Sequence, residues 1–472
     1  MKAKVLACLM LIVASGCMVG PDFRKPEPPM PDSFLGVKEA KQPGAKSVAT
    51  DRSADLARWW RQFEDPTLDR LVGEALKANL SLALAEANLR QARALRGIAV
   101  AGLFPSATAS AAYQRQSGPL YGTTGNPRNL YLATVDAAWE LDFFGGFRRN
   151  VESATANVVV AVENLRDVQV VLIAEVALYY VQLRGYQQQI VTARNNIKAQ
   201  RHTADITRRL FKAGFDSGLD VANAESVVAS TEAQIPVFET GARQSIYALS
   251  VLLARPPADL VELLSPTGGF PVVPREIPTG LPSELLRRRP DIRQAEAQLH
   301  SATAQIGVAT AQLFPQFSLT GGAIWQSTAS HTWFNNVGRS LFIGPAASWP
   351  IFQGGAIVSN IRAQEALRDQ AFITYKQTVL TALQDVENAL VAFAKEQEHN
   401  KSLGDAVGYD RKAVELSLKL FKEGQTDFLS VLVAERQLYT DESALTTSTQ
   451  NIAADLVALY KALGGGWEVG PP

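Results

Sequence analysis

The sequence predicts an α+β membrane protein in which each chain adds four strands to an oligomeric barrel and long helices to a helical cylinder. Three observations predict this class. The chain repeats itself at a fixed interval, four stretches alternate apolar and polar residues, and two very long stretches contain no proline. Each observation alone is compatible with a soluble protein, and their combination favours the membrane class.

The N-terminus is typical of a targeting segment. Two lysines precede an apolar run, Val5–Ala14, which is too short to span a bilayer of about 30 Å as a helix. Small residues then lead into Cys17, in a pattern that resembles a bacterial lipobox with Ala14 where leucine is preferred. We expect a signal peptide over residues 1–16 and a covalent lipid, N-palmitoyl and S-diacylglycerol, on Cys17. An ordinary secretory signal with an incidental cysteine is the alternative.

The rest of the chain is a tandem duplication. LFKAG at 210–214 returns as LFKEG at 420–424, and the same interval of 210 positions separates Trp139 from Trp349. Residues from about 80 to 255 recur as about 290 to 465, almost without insertion. The predicted segments are a lipidated extended strap (17–58), a first repeat (59–255), a Pro-rich linker (256–289), a second repeat (290–465) and a C-terminal tail (466–472).

Each repeat opens with a helical pattern that ends at Phe-Pro, as a helix does before proline. These helices are predicted over 67–103 and 291–313. Two alternating stretches follow in each repeat, each about ten residues long with one apolar and one polar face, which is the pattern of a membrane barrel strand. They are 105–116, 131–141, 317–325 and, less clearly because of two prolines, 341–352. A soluble sandwich strand is the alternative for any one stretch.

Long helices are predicted after the paired glycines. Residues 147–213 contain no proline, and at 1.5 Å per residue they form a helix of about 100 Å. Their counterpart is 356–423, and a shorter helix is expected over 219–254. Charged residues interrupt the long stretches, so neither predicts a transmembrane helix. Apolar side chains in 168–183 cover more than half of the circumference, which indicates neighbours on two sides, as in a ring of helices.

The number of strands requires an oligomer. Single-chain barrels begin at about eight strands, and an open edge in lipid leaves backbone groups unpaired. Two chains would supply eight strands and enclose almost nothing, whereas three would supply twelve above a helical cylinder.

Composition excludes several function classes. The 46 basic and 46 acidic residues balance, so neither nucleic acid nor an anionic membrane surface is expected as a bulk partner. Nucleotide-binding, zinc-hydrolase and serine-hydrolase motifs are missing, and the four histidines lack ligand spacing. We therefore expect neither an enzyme nor a metal site. Without a nucleotide site, the protein can conduct a substrate but cannot drive its transport.

Three motifs, CMVGPDFRKP at 17–26, WWRQFEDPTLDRLVGEAL at 59–76 and GLPSELLRRRPDI at 280–292, resemble those of TolC-type outer-membrane efflux proteins. The similarity is to the lipoprotein branch that serves resistance-nodulation-division pumps. It implies a homotrimer with a 12-strand β-barrel in the outer membrane of a Gram-negative bacterium, continuous with a long 12-helix α-barrel in the periplasm.

The implied function is the exit duct of a tripartite efflux system. Such a duct conducts small molecules passively, driven by an inner-membrane pump through a periplasmic adaptor. One alternative is the outer-membrane component of type I protein secretion. The other is a non-conducting structural lipoprotein spacer, which would need no amphipathic strands. The sequence does not specify the cargo.

The repeated LFK cores predict two capped distal turns, with glycine ending one helix and a Ser or Asp side chain beginning the next. The resemblance implies that the tunnel narrows at these tips, where polar and acidic side chains form a gate that the adaptor opens. Three carboxylates of each kind would ring the pore, unless they are bridged to Lys212 or Lys422. The candidate residues are Phe211, Gly214, Asp216, Ser217, Asp220, Phe421, Gly424, Asp427 and Ser430.

Overall fold

The structure, a computed structural model, describes residues 18–39, 47–50, 56–118 and 123–468. The predicted signal peptide and Cys17 lie outside the described residues. The chain divides into two compact units, and each takes segments from both copies of the duplication. The first unit contains residues 1–27, 87–162 and 294–377, and the second contains residues 28–86, 163–293 and 378–472.

Helices account for most of the described residues. They are α1 (Leu35–Glu39), α2 (Pro66–Ala78), α3 (Leu80–Ala101), α4 (Gly146–Lys212), α5 (Gly218–Glu232), α6 (Gln234–Leu252), α7 (Val261–Leu264), α8 (Leu285–Arg288), α9 (Pro290–Ala311), α10 (Ala356–Lys422) and α11 (Phe428–Ala462). The strands are β1 (Val48–Thr50), β2 (Ser106–Gly118), β3 (Thr123–Leu141), β4 (Glu276–Pro278), β5 (Gln316–Ser327) and β6 (Arg339–Ser348). β1 and β4 form a short parallel pair in the second unit.

The first unit contains a four-stranded antiparallel sheet in the order β2-β3-β5-β6. All four alternating stretches therefore form strands, as predicted. The bounds differ by one or two residues at most ends and by more in two places. β3 begins at Thr123, earlier than expected. β6 ends at Ser348 and not at 352, because Pro350 has no N–H with which to continue the ladder.

The two long helices are present, with bounds within one residue of those predicted. α4 and α10 each contain 67 residues. Gly145 and Gly355 precede them with positive φ angles of 79° and 84°, which glycine adopts without strain. Asp142 fixes the start of α4 by accepting hydrogen bonds from the backbone N–H groups of Phe147 (3.1 Å) and Arg148 (2.9 Å).

The described part of the chain contains no helix that is both long enough and apolar enough to cross a membrane.

The prediction of one continuous helix is wrong in two places, because the structure has two shorter helices in each. The helix predicted over 67–103 breaks at Asn79, whose backbone is extended and whose side chain accepts from the N–H of Leu82 (3.0 Å) and donates to the carbonyl of Leu252 (2.9 Å). The helix predicted over 219–254 breaks at Ala233, between α5 and α6. Pro236 explains this break, because it cannot donate to the preceding turn.

In the second unit, aromatic rings fill the core beside the linker. Trp59 is fully buried and stacks on Tyr460 at a centroid distance of 4.9 Å. Trp467 lies under the guanidinium groups of Arg166 (4.4 Å) and Arg293 (5.6 Å). Both arginines also pair with the buried carboxylate of Glu163, at 2.6 and 2.9 Å. The beginning of the C-terminal tail is thereby joined to α4 and α9.

Candidate gate at the two distal turns

Both long helices end in the same six-residue hydrogen-bonding pattern, within the second unit. In the first turn the N–H of Phe215 donates to Leu210 (3.0 Å), and that of Gly214 donates to Phe211 (3.0 Å). The second turn repeats these bonds at 2.9 and 3.0 Å, from Gln425 to Leu420 and from Gly424 to Phe421. This is a Schellman motif.

Gly214 and Gly424 are required because of their backbone conformation, and not because a side chain would lack space. Gly214 has φ of 81° and Gly424 has φ of 71°, a region that side chains rarely adopt. A Cβ atom added at either position would meet no atom of the described residues within 4 Å. The predicted glycine caps are therefore present, and any other residue there would strain the turn.

The helices after the turns begin at side-chain caps in which serine and aspartate exchange places. In the first turn Ser217 accepts from the N–H of Asp220 (3.2 Å), and its hydroxyl donates to the Asp220 carboxylate. In the second turn Asp427 accepts from both the N–H (3.2 Å) and the hydroxyl (2.8 Å) of Ser430. Each turn thus carries one capping carboxylate, at N3 in the first turn and at the N-cap in the second.

The first turn carries a second carboxylate. Asp216 accepts from the N–H of Ser217 at 2.9 Å, while its other oxygen, Oδ2, is buried without a hydrogen-bond donor among the described residues. Burial and the adjacent Asp220 carboxyl raise the pKa of Asp216, against the opposing effect of the Ser217 amide. In the described part of the chain, neither Lys212 nor Lys422 forms an ion pair with these carboxylates. The first turn therefore holds two acids that repel each other when both are ionised.

The two phenylalanines of the repeated cores differ in burial. Phe421 is 9% exposed and packs on Phe428 at a centroid distance of 5.5 Å, whereas Phe211 is 48% exposed. Gly218 stands in the first copy where Phe428 stands in the second, so Phe211 has no ring to pack against there. The residues around Phe421 and Phe428 are Ala204, Ala224, Val227, Val431 and Leu432. Comparing Gly218 with Phe428 in the sequence could have predicted this difference.

A buried glutamate near the second turn was missed by the sequence analysis. Glu225 in the first copy is paired with Arg208 at 2.7 Å. Its counterpart Glu435 is 7% exposed and accepts from the hydroxyl of Thr203, because Leu418 stands where the arginine would be. Burial raises the pKa of Glu435, and the Thr203 hydrogen bond opposes that effect.

Among the described residues, no group of three or more His, Cys, Asp or Glu side chains could hold a metal ion.

The chain matches the protein-family model described as outer membrane efflux protein over residues 71–255 and 281–465. Among curated proteins, it is 34% identical over 464 residues to Nodulation protein T of Rhizobium leguminosarum bv. viciae, covering 98% of this chain and 94% of that protein. It is 32% identical over 476 residues to the toluene efflux pump outer membrane protein TtgC of Pseudomonas putida, covering 99% and 96%.

Solved channels have the same fold. The outer-membrane channel OprN aligns with a TM-score of 0.88 and 36% identity, covering 96% of this chain and 100% of that one. The open state of the MtrE outer membrane channel of Neisseria gonorrhoeae aligns with a TM-score of 0.80 and 29% identity, covering 96% and 99%.

Proposed function

Since the chain belongs to the outer membrane efflux protein family, we propose that its two distal turns form the gate of the channel. A periplasmic adaptor opens this gate, and an inner-membrane pump of the resistance-nodulation-division class supplies the cargo. The predicted fold class, the outer-membrane location and the efflux function are themselves confirmed by the family match and the solved channels.

The observation that carries the gate proposal is the carboxylate pair of the first turn. Asp216 and Asp220 are adjacent acids on a short turn, without a basic partner among the described residues. In the trimer each carboxylate occurs three times, and a ring of ionised groups attracts cations while resisting closure. Asp427 adds a further carboxylate from the second turn. The first turn therefore contributes two carboxylates per chain to the gate, and the second contributes one.

Conductance of single channels in planar bilayers tests this proposal. We expect Asp216→Asn and Asp220→Asn to reduce cation selectivity and to change the conductance, and Asp427→Asn to do so separately. Glu262→Gln, at an exposed linker position, is the matched control and should behave as the wild type. Wild-type conductance and selectivity in all three aspartate variants would remove the gate assignment.

Exposed apolar side chains beside both turns support adaptor docking at this end. Phe215 and Leu219 of the first turn are 83% and 69% exposed, and Leu429 and Val433 follow the second turn at 57% and 58%. Apolar groups this exposed at a tip are suited to a protein partner. Co-purification with a co-expressed adaptor should weaken in the variant Phe215→Ser/Leu219→Ser. A variant that retains the adaptor fully would exclude this surface.

The lipid anchor on Cys17 is also part of the proposal. The lipobox pattern and the small residues before it support N-palmitoyl and S-diacylglycerol modification. The mass of the N-terminal peptide tests it directly, and an unmodified thiol at Cys17 would exclude it. For the cargo we propose small organic molecules, because one relative is named as part of a toluene efflux pump. Deletion of the cognate pump should abolish resistance to such compounds while leaving the channel in the membrane.

A further inference from the structure

We propose that Arg149 and Gly307 form a seat for the segment that follows Cys17, residues 18–26, and that this seat holds the segment whether or not Cys17 carries a lipid. All of these residues belong to the first unit. The seat determines where the chain leaves the protein toward its anchor. Only this last consequence depends on the lipidation proposed above.

Arg149 is the centre of the seat. Its side chain is 2% exposed, and most of its acceptors come from the segment itself. The guanidinium donates to the carbonyls of Val19 (3.2 Å) and Gly20 (3.4 Å) and to the carboxylate of Asp22 (2.6 Å). Glu152, on the same helix, supplies the remaining contact at 2.8 Å. Release of the segment would break three of these four contacts and leave the guanidinium with Glu152 alone of the partners named here.

The carboxylates also favour the charged form of Arg149. Burial alone lowers the pKa of a guanidinium, but the hydrogen bonds and charges of Asp22 and Glu152 outweigh it and raise the pKa of Arg149. The cation is therefore retained in the seat.

Two glycines let the segment approach the helix closely. Gly20 has φ of 86°, and a Cβ atom there would lie 2.5 Å from the Cα of Gly307. A Cβ atom on Gly307 would lie 2.7 Å from Cγ of Arg149. A side chain on Gly20 would therefore meet the backbone of Gly307, and one on Gly307 would displace the Arg149 side chain that holds the segment.

The seat exists in one copy of the duplication only. The counterpart of Gly307 is Gly97, where a Cβ atom would meet no described atom within 4 Å, and the counterpart of Arg149 is Ser359. The helix glycine is thus present in both copies, while the arginine and the covered surface belong to one. These paired positions provide matched controls.

Further contacts continue along the segment. Phe23 stacks on His300 at a centroid distance of 4.3 Å, and His300 contacts Glu152 at 2.8 Å. Lys25 pairs with Glu296 at 2.8 Å. The same carboxylate of Glu152 therefore serves both Arg149 and the histidine under Phe23, which links the first part of the segment to the second.

The beginning of the segment lies at the turn between β3 and α4. The N–H of Val19 donates to the carbonyl of Phe144 at 3.1 Å, and Met18 packs against Gly145, where a Cβ atom would lie 2.8 Å from Cγ of Met18. Cys17 directly precedes Met18. The seat therefore holds Met18, the described residue that follows Cys17 in the sequence, close to the end of β3.

Trypsin cleavage after Arg24, an exposed residue within the segment, reports release from the seat. In the purified trimer we expect Arg149→Gln and Gly307→Ala each to accelerate this cleavage about tenfold or more, because cleavage requires local opening. The controls Ser359→Gln and Gly97→Ala should cleave at the wild-type rate. Cys17→Ser, exported with an ordinary secretory signal, should also retain the wild-type rate.

Wild-type rates in both Arg149→Gln and Gly307→Ala would overturn the proposal, as would fast cleavage in Cys17→Ser. If Arg149→Gln does not assemble, Gly307→Ala decides alone. The mass of the N-terminal peptide is read separately. An unmodified Cys17 with a protected Arg24 would refute lipidation and leave the seat standing, whereas a lipidated wild type with rapid cleavage would refute the seat.

Discussion

Replacing Phe421 by alanine should open the second distal turn much more than the equivalent change at Phe211 opens the first. Phe421 is 9% exposed and shares a core with Phe428, and Phe→Ala in a packed core costs about 3–5 kcal/mol. Phe211 is 48% exposed, so only about half of a transfer free energy of about 1.5–3 kcal/mol is lost, or about 1 kcal/mol. The expected difference is about 2–4 kcal/mol.

The chain offers a matched assay for both changes. Lys212 and Lys422 each directly follow one of these phenylalanines, so trypsin has a cleavage site in each turn. Because Ala213 follows one lysine and Glu423 the other, each variant is compared with the wild type at its own site. Cleavage of a transiently opened segment follows the free energy of opening, at about 1.4 kcal/mol per tenfold. Phe421→Ala should accelerate cleavage after Lys422 by about 100-fold or more, and Phe211→Ala should accelerate cleavage after Lys212 by about tenfold or less.

The control is Phe428→Ala, which removes the other ring of the pair and should reproduce the effect of Phe421→Ala on cleavage after Lys422. Size-exclusion chromatography should show that every variant remains assembled. Equal acceleration in Phe211→Ala and Phe421→Ala would refute the reasoning, because it would mean that the first phenylalanine is as well packed in the assembled protein as the second.

Three further predictions concern buried or half-buried groups of the second unit. Burial raises the pKa of Glu435, so the second turn should lose stability as the pH rises from below the pKa of an exposed glutamate through the raised value. The protection of the Gly424 amide, which is its exchange rate relative to that of an unfolded peptide at the same pH, should report this loss, and Glu435→Gln should abolish it. Burial, with nearby Glu396, raises the pKa of Asp455 to about 6, so thermal stability should increase as the pH falls from about 7 to about 4, and Asp455→Asn should flatten this trend in calorimetry. Trp467→Ala should uncover Arg166 and Arg293 and lower the free energy of unfolding by about 3 kcal/mol. The Gly466 amide, which donates to the carbonyl of Leu56, should then exchange faster, and an unchanged exchange rate would contradict this prediction.

The elements that could be predicted from the sequence are those whose limits are marked locally. Glycine or proline bounds both 67-residue helices, and alternation alone located all four strands of the sheet. The break at Asn79 was not predictable in this way, because a distant carbonyl, that of Leu252, holds its side chain. Pro236 marks the break near Ala233 locally, and the prediction of a single helix over 219–254 overlooked it.

The residues of the candidate site also divide into those that the local sequence predicts and those that depend on distant contacts. The caps of the distal turns depend on neighbours three or four residues away, and sequence reasoning found them. The seat of the N-terminal segment depends on Arg149 meeting Asp22, 127 residues earlier, and no local pattern indicates that contact. Glu435 lies between these cases, since only comparison with the Glu225–Arg208 pair of the first copy reveals that its partner is missing.

The divergence of the two turns indicates which one moves when the proposed gate opens. The first turn has an exposed Phe211 and two adjacent acids whose repulsion increases on ionisation, whereas the second is held by the Phe421–Phe428 pair. If the proposed gate opens in this way, we expect motion to cost less free energy at the first turn than at the second. In the wild type, cleavage after Lys212 should precede cleavage after Lys422 when each rate is divided by that of an unfolded peptide of the same sequence, and Asp216→Asn should slow the former alone. Cleavage in the reverse order would indicate that the second turn is the one that moves.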